Sequence, residues 1–520
     1  MSDQPNFLFL ITDQHRADWL GCYGHPVLKT PNIDDIAAHG TQFNEFYVAA
    51  PVCMPNRASL LTGRMPTVHG LRYNGCNLSA SANTFVDVLA AAGYDTAAIG
   101  KCHLQAFTGL PSWHAARNPR RLVEEAWKPD ECDYSREAPE SFTSNERFQA
   151  EASYYGFTHL DMVTGHGDRC GGHYGQWFRA NVAEWRELWD DANELPHNYT
   201  CPQAYRTPVP EELYPTAWVA DRTIDYLTSQ ERLGKPFFAF VSFPDPHHPF
   251  NPPGKYWDMY SPDDFELPLP YSEHKNPIPP MRWLEANFRG AGHQLTSQTA
   301  MFQDEQAIRE SMALTSGMIS CIDDNVGRII AALKESGQFD RTVIIFNSDH
   351  GDYLGDYNLL LKGLLTTRGI TRVPFIWSDP KNRAAKSTGA LASTIDLSAT
   401  ILDRAGLEPY YGIQGRSMLP AIEDNLDHRQ ELLIEFNDGA PKFGFTEPAR
   451  VRTLLTRDWR YTIFSGEPWG ELYNLSTDPN ETNNLWNDSK FFTVRAGLSE
   501  RLNHHLVRQM DESPRARHLA

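Results

Sequence analysis

Four apolar, strand-sized runs in this chain end directly in residues that can bind a metal, move a proton or hold an anion. Phe7–Ile11 is followed by Thr12, Asp13 and Gln14, and Thr96–Ile99 by Gly100, Lys101, Cys102 and His103. Phe237–Phe243 leads into Asp245, His247 and His248, and Thr342–Phe346 into Asn347, Ser348, Asp349 and His350. In open α/β sheets the ligand crevice lies outside the carboxyl ends of the strands. These groups should therefore meet in space. Asp13, Gln14, Asp349 and His350 offer mostly hard oxygen donors with one nitrogen, a set that suits Ca²⁺, Mg²⁺ or Mn²⁺ better than a thiolate-rich zinc site. Taken singly, Asp13 could be a strand-end cap, and Asp349-His350 before Gly351 could be a turn.

A second reactive segment is Cys53-Met54-Pro55-Asn56-Arg57-Ala58-Ser59-Leu60-Leu61-Thr62-Gly63-Arg64. Pro55 would begin a helix that Gly63 ends. Cys53 then sits at a helix N-terminus, where the dipole lowers a thiol pKa and favours anions. Arg57, one turn along, could hold Cys53 or a bound oxyanion. The plain alternative is a buried cysteine at a loop-to-helix junction. His166, Asp168, Cys170 and His173 could suggest zinc, but their glycine-rich setting fits better with lining an entrance.

The elements that must position these groups alternate between strand and helix patterns, the signal for a mostly parallel sheet sandwiched by helices. Thr30-Pro31 opens a helix with a capping hydroxyl, and Ile33, Ile36 and Ala37 share its apolar face. Further helices are expected at Phe85–Ala92, Ala217–Leu227 and Glu305–Ser336, the last broken near Gly317; Val373–Trp377 reads as one more strand. Residues 105–215 have weak periodicity and read as insertions beside the sheet that shape specificity. Trp113, Trp127, Tyr154, Tyr155, Trp177 and Trp185 in that region could bind an aryl group, a sugar or a quaternary ammonium, or simply pack. Beyond about 430, Leu432–Glu435, Val451–Leu455 and Tyr461–Phe464 look antiparallel, and Ser499–Met510 looks like a closing helix. The expected division is 1–428 for the large α/β domain and 429–520 for a small α+β domain.

The chain has 520 residues and a formal charge of −19. An acidic chain repels phosphate backbones, which disfavours nucleic-acid binding. No apolar run approaches the roughly 20 residues a membrane helix needs, and Met1–Asn6 lacks a basic patch with a signal-peptide core. The expected location is the cytoplasm, where eight cysteines without a C-x-x-C pair do not suggest a disulfide framework.

The C-x-P-x-R sequence from Cys53, followed by leucines and T-G-R, resembles the sulfatase signature. The resemblance runs over nearly the whole chain. Phe9–Gly24 (FLITDQHRADWLGCYG) resembles the family's first metal-binding strand and Thr30–Gly40 (TPNIDDIAAHG) its first helix. Gly100–Leu104 (GKCHL), Pro246–Pro249 (PHHP) and Ser348–Gly355 (SDHGDYLG) are similar to its G-K-x-H-L, P-H-x-P and second metal motifs. Leu472–Leu485 (LYNLSTDPNETNNL) resembles its C-terminal segment. Two positions depart from the pattern: Asp13-Gln14 stands where most members have paired aspartates, and Asn56 where Ser or Ala is usual. The Asp-Gln pair also resembles the choline sulfatase and phosphonate monoester hydrolase branches. The phosphonate branch tends to lose the lysine and histidine of G-K-x-H, and this chain keeps Lys101 and His103.

The resemblance implies an alkaline phosphatase-like fold and hydrolysis of sulfate monoesters. The nucleophile would be formylglycine, made from Cys53 by a formylglycine-generating enzyme, and the ligands of one divalent ion, Ca²⁺ by preference, would be Asp13, Gln14, residue 53, Asp349 and His350. It implies that His247 protonates the leaving oxygen, that Lys362 clamps the sulfate, and that Lys101 and Arg57 orient residue 53. His103 would take the proton that releases sulfate from a hemiacetal intermediate. His248 and Arg372 read as structural. The alternatives are a phosphonate monoester or phosphodiester hydrolase, and a non-catalytic binding protein. Expected partners are a small sulfate ester and, for an enzyme of this size, other copies of the chain.

Overall fold

The computed structural model describes residues 4–110, 112, 122–123, 125–128, 130–144, 146–148, 153–229, 234–290 and 300–519. Its centre is an eight-stranded sheet. In chain order the strands are β1 (Asn6–Thr12), β2 (Thr41–Phe43), β3 (Asp95–Gly100), β4 (His159–Thr164), β5 (Phe237–Ser242), β6 (Thr342–Ser348), β7 (Phe375–Ser378) and β8 (Lys386–Thr388). Their spatial order is β4-β3-β5-β1-β6-β7-β2-β8. All run parallel except β7, which is antiparallel to both its neighbours, β6 and β2.

Alternation along the strands builds two layers of core. Leu8, Leu10, Ala239, Val241, Ile344 and Phe346 face one side. There they meet α1 (Pro31–Ala38), α5 (Pro215–Thr228) and α6 (Glu305–Glu335) through Ile33, Trp218, Ile319 and Ile322. Phe7, Phe9, Ile11, Phe238, Phe240 and Ile345 face the other, against α2 (Cys53–Thr62), α3 (Phe85–Ala91) and α7 (Asp396–Arg404). Central strands buried on both faces have no polar positions to spare, so chemistry is confined to their ends.

Register then brings those ends level. Ile11 lies opposite Ser242 and Thr12 opposite Ser348, while Gly100 lies opposite Ser242. Asp13, Lys101 and Asp349 therefore leave the sheet side by side. Gly100 has φ +103°, and a Cβ there would stand 1.9 Å from the Ser242 carbonyl oxygen. Only glycine lets β3 turn Lys101 inward at this point.

Several sequence expectations need correction. The long helix α6 runs unbroken through Gly317. That glycine serves packing instead: a Cβ would lie 2.2 Å from the Tyr256 carbonyl oxygen. The Thr30 hydroxyl caps no backbone N–H of α1; it donates to Asp34 and accepts from the Gly21 N–H. The 105–215 region is more than loop, because it supplies the edge strand β4 and the helix α4 (Gly172–Asn181). Of the aromatic residues there, Tyr154 and Tyr155 are core, Trp177 and Trp185 pack partly against the core, Trp127 is exposed, and Trp113 lies outside the described residues.

A second sheet follows, with β9 (Glu431–Asn437), β10 (Arg450–Thr456), β11 (Trp459–Phe464) and β12 (Gly470–Asn474) antiparallel in that order. The last helix, α8 (Phe492–Arg508), packs Leu498 and Leu502 on Leu433, Leu454, Tyr461 and Leu472, in a core shared with Met65, Val68 and Ile395. Inside this unit Arg460 is buried between Glu471, at 3.0 Å, and Glu481, at 2.6 Å. Arg460→Ala would leave two carboxylates buried without their cation, a loss of about 3–5 kcal/mol. Urea unfolding should show a midpoint shift of that size; an unchanged midpoint would mean the two carboxylates find another partner.

Candidate active site

Cys53 is the first residue of α2, behind an extended Val52. Its Sγ lies 3.1 Å from His350 Nε2 and 3.7 Å from Asp13 Oδ1. The expected drop in thiol pKa is overturned. Burial and the adjacent Asp13 push the Cys53 thiol up to about 11, against the opposing pull of Lys362 and Lys101. The helix terminus cannot offset burial beside a carboxylate.

Arg57 is anchored at two of its nitrogens by the strand ends. Its Nε donates to Asp349 Oδ2 at 2.7 Å, and its Nη1 donates to the Lys101 carbonyl and Ser242 Oγ. Nη2 lies 3.6 Å from Asp13 Oδ2 and makes no hydrogen bond among the described residues. Lys101 Nζ pairs with Asp13 Oδ2 and sits 2.5 Å from His166 Nε2. Burial alone would raise the Asp13 pKa, yet Lys101, Arg57 and Lys362 hold it well below the usual carboxylate range.

The backbone locks these groups together. The Asp13 N–H donates to the Asp245 carbonyl, the Asp349 N–H to the Thr12 carbonyl, and the His15 N–H to the His350 carbonyl. Gln14 takes a left-handed φ of 64°, and its N–H donates to Asp349 Oδ1. Its Nε2 donates to Asp352 Oδ2 at 2.5 Å, while its Oε1 accepts from Lys362 Nζ at 2.8 Å. Lys362 Nζ is also 2.6 Å from His247 Nε2. Asp352 was not singled out in the sequence; burial raises its carboxyl to about 6. Asn56 ties α2 to the second metal motif. Its Oδ1 accepts from the Ala49 N–H and Thr394 Oγ1, and its Nδ2 donates to the Asp349 carbonyl.

His103 keeps a left-handed backbone, φ 57°. Its N–H donates to Glu137, which also takes the Leu104 and Gln105 N–H groups. Its ring lies against Phe107 at 4.1 Å, and its buried Nδ1 has no partner among the described residues. The zinc quartet does not assemble. Asp168 bonds Thr207 and Asn251, Cys170 bonds the Gly167 carbonyl, and His173 bridges the Met162 N–H and the Phe148 carbonyl. His166 instead enters the main site. Its ring stacks on His247 at 3.5 Å and 9°.

Two quartets have ligand atoms close enough for one ion: Asp13, Cys53, Asp349 and His350; and Asp13, Cys53, His166 and His247. The first fits a hard divalent cation. His350 Nδ1 donates to the Gly351 carbonyl at 2.8 Å, so Nε2 carries its lone pair toward the two aspartates, at 3.5 and 3.6 Å. Burial holds this ring neutral, with a pKa near 4. The second quartet is a poor cation site, because the His166 and His247 Nε2 lone pairs already face the ammonium groups of Lys101 and Lys362.

A buried nucleophile position, a hard-cation quartet and paired lysines at the carboxyl edge of a parallel sheet define a hydrolase of tetrahedral oxyanion esters. Comparison with known proteins narrows this. The sulfatase family model matches residues 5–407, and the C-terminal model of N-sulphoglucosamine sulphohydrolase matches 355–508. The chain belongs to the sulfatase family and is a sulfuric ester hydrolase. It is 28% identical to an arylsulfatase of Clostridium perfringens, over 94% of this chain and 91% of that protein. It is 29% identical to the multifunctional alkaline phosphatase superfamily protein PehA of Trinickia caryophylli, over 96% of each. Its fold matches the crystal structure of a phosphonate monoester hydrolase of Agrobacterium radiobacter with a TM-score of 0.77, at 24% identity, over 98% of this chain and 97% of that one.

Two outcomes follow from the scaffold of α2. Asn56→Ala removes the side-chain donor to the buried Asp349 carbonyl, while the Ala49 N–H keeps Thr394 Oγ1 at 3.0 Å, and should cost about 1–3 kcal/mol, read by denaturant unfolding. A loss under about 0.5 kcal/mol, the usual range for a surface change, would show that the bridge is dispensable. His69 lies 3.0 Å from Ser59 Oγ on α2, and burial, then Arg64, lowers its pKa to about 3. It folds neutral while the unfolded chain protonates near 6.5. Its contribution is therefore complete above about pH 6.5 and is lost as pH falls toward 3. Between pH 7 and 5, His69→Gln should lose about 2 kcal/mol less unfolding free energy than the native protein; equal losses would place the titration elsewhere.

Proposed function

We propose that this chain hydrolyses sulfate monoesters with a formylglycine made from Cys53, and with one divalent ion held by Asp13, Gln14, Asp349 and His350. The observation that carries the nucleophile is the thiol itself. Its Sγ is at the first residue of α2, 3.1 Å from His350 Nε2 and 3.7 Å from Asp13 Oδ1, within the hard-cation quartet, where an oxygen donor matches a hard ion better than sulfur does. A hydrated aldehyde at the same position supplies a hydroxyl nucleophile and a second hydroxyl for release. Arg57 Nη2, an unpaired donor in the same site, is available to it. The ion, when bound, acts as a Lewis acid that favours a deprotonated nucleophile and draws charge from the sulfate oxygens. Calcium is the expected ion by family resemblance; manganese or magnesium suits the same oxygen-rich donors.

The chain's own residues supply the rest. Lys101 and Lys362, on opposite sides of the Asp13–Gln14 turn, provide positive charge for the sulfate oxygens. His247 donates its Nδ1 proton to the His248 carbonyl at 2.6 Å, which leaves Nε2 as its working nitrogen beside Lys362. The Lys362 ammonium, 2.6 Å from that nitrogen, passes a proton to it, and His247 gives the proton to the leaving oxygen as the sulfur–oxygen bond breaks. His103, whose buried Nδ1 has no hydrogen-bond partner among the described residues, takes the proton of the second hydroxyl, and sulfate departs as the aldehyde re-forms.

Sulfate and phosphonate monoesters present the same tetrahedral monoanion. PehA is described as multifunctional and is 29% identical to this chain, which supports a second activity; the shared tetrahedral monoanion makes phosphonate or phosphodiester esters the substrates to test. Lys101 and His103 favour sulfate as the main one. The test is a peptide mass spectrum across residue 53, from protein made with a formylglycine-generating system, paired with rates on matched aryl sulfate and aryl phosphonate esters. Aldehyde or its hydrate is expected, with sulfate turned over faster and Cys53→Ala lowering kcat on the order of 10³-fold or more. Unmodified cysteine in protein that still turns over would sink the mechanism; a faster phosphonate rate would reverse the substrate order.

A further inference from the structure

His166 is not part of any motif that marks the family in this sequence, yet it reaches into the site. It follows β4 by two residues, so the edge strand delivers it to the same crevice as the central strands. Its Nε2 lies 2.5 Å from Lys101 Nζ and 3.8 Å from Asp13 Oδ2. Its ring stacks on His247 and meets the edge of Phe107 at 6.0 Å. Lys101 thus has two fixed acceptors, Asp13 and His166. His247 is held by the His248 carbonyl at one nitrogen, by Lys362 at the other, and by His166 on its ring face.

We propose that His166 is a positioning residue for the hydrolysis, holding Lys101 through its Nε2 lone pair and the plane of His247 through ring stacking. The inference rests on the sulfatase reading. An ammonium group only donates, so the nitrogen facing Lys101 must be the unprotonated one, and the ring proton sits on Nδ1. Lysine is a point charge on a flexible stem, and without the second acceptor it samples positions that no longer serve residue 53. An imidazole that must pass a proton to a leaving oxygen has to keep its ring in the plane of that transfer.

The two contacts can be removed separately. His166→Phe keeps a flat ring against His247 and loses the lone pair. His166→Gln keeps an acceptor for Lys101 and loses the stack. His166→Ala loses both. Each variant is compared with the native protein at equal formylglycine content, on aryl sulfates whose leaving phenols span a range of acidity. The phenylalanine variant should lower kcat by a similar factor across the series. The glutamine variant should lower kcat most for the least acidic phenols, because His247 matters most there. The alanine variant should combine both, to about 10²-fold on the poorest leaving group, with KM changed far less. Equal losses in all three variants on every ester, or an alanine variant within twofold of native, would overturn the proposal.

If the native protein turns over aryl phosphonates and not sulfates, the sulfate reading fails, and the same series on phosphonates still judges His166. An arm independent of turnover uses protein labelled with nitrogen-15 histidine, with His166 signals assigned by their loss in His166→Gln. An Nδ1–H tautomer is expected, and an Nε2–H tautomer would overturn the Lys101 contact.

Discussion

The site depends on one electrostatic constraint: Asp13 is fully buried at the end of the central strand and must remain charged. An isolated carboxylate in such a place would take up a proton. Here Lys101 from β3 and Arg57 from α2 converge on it. Each of these cations is fixed in turn by another element, Arg57 by Asp349 after β6 and Lys101 by His166 after β4. The parallel sheet is what makes the arrangement affordable, since its register sets three strand ends level. Lose the register and the charges are stranded in a low-dielectric interior.

That constraint also reconciles a strongly acidic chain with an anionic substrate. The formal charge of −19 is a property of the whole chain. In the crevice three fixed cations, Arg57, Lys101 and Lys362, face Asp13, Asp349 and Asp352. Burial weakens the last of these as an anion, since it moves the Asp352 carboxyl up to about 6. The four histidines around residue 53 are kept neutral chiefly by burial, helped by the lysines at all four and, at His247, also by the neighbouring His166 ring. A divalent cation in the first quartet then tips the balance to positive, so local charge, and not the charge of the whole chain, governs what can enter.

The same logic marks where the sequence was legible. Asp13, Lys101, His247 and Asp349 could be placed together because each follows a short, largely apolar run that reads as a buried strand. Cys53 and Arg57 were found from proline and glycine punctuation, although that local view missed the burial that reverses the thiol's shift. His166 obeys the strand-end rule as faithfully as the others. It was read as an entrance-lining residue and not as a strand-end site residue, because β4, His-Leu-Asp-Met-Val-Thr from His159 to Thr164, is an edge strand with a carboxylate in its middle, so its pattern is too mixed to read. Asp352 and Glu137 carry no sequence signal at all. Their importance lies in what they accept: the Gln14 carboxamide for one, and three consecutive N–H groups of the His103 loop for the other.

Asn56 shows how a departure from a family pattern can be structural in origin. A serine at this position could not span from the Ala49 N–H to the Asp349 carbonyl with one hydroxyl. The asparagine amide does so, with an acceptor at one end and a donor at the other. It fixes the start of α2 against the turn that carries Asp349 and His350, and so sets the distance between residue 53 and those two members of the hard-cation quartet. Thr394 completes the bridge from the loop before α7. The nucleophile is thereby positioned by a neutral amide, which costs far less to bury than another ion pair would, in a crevice that already holds all the charge its surroundings can satisfy.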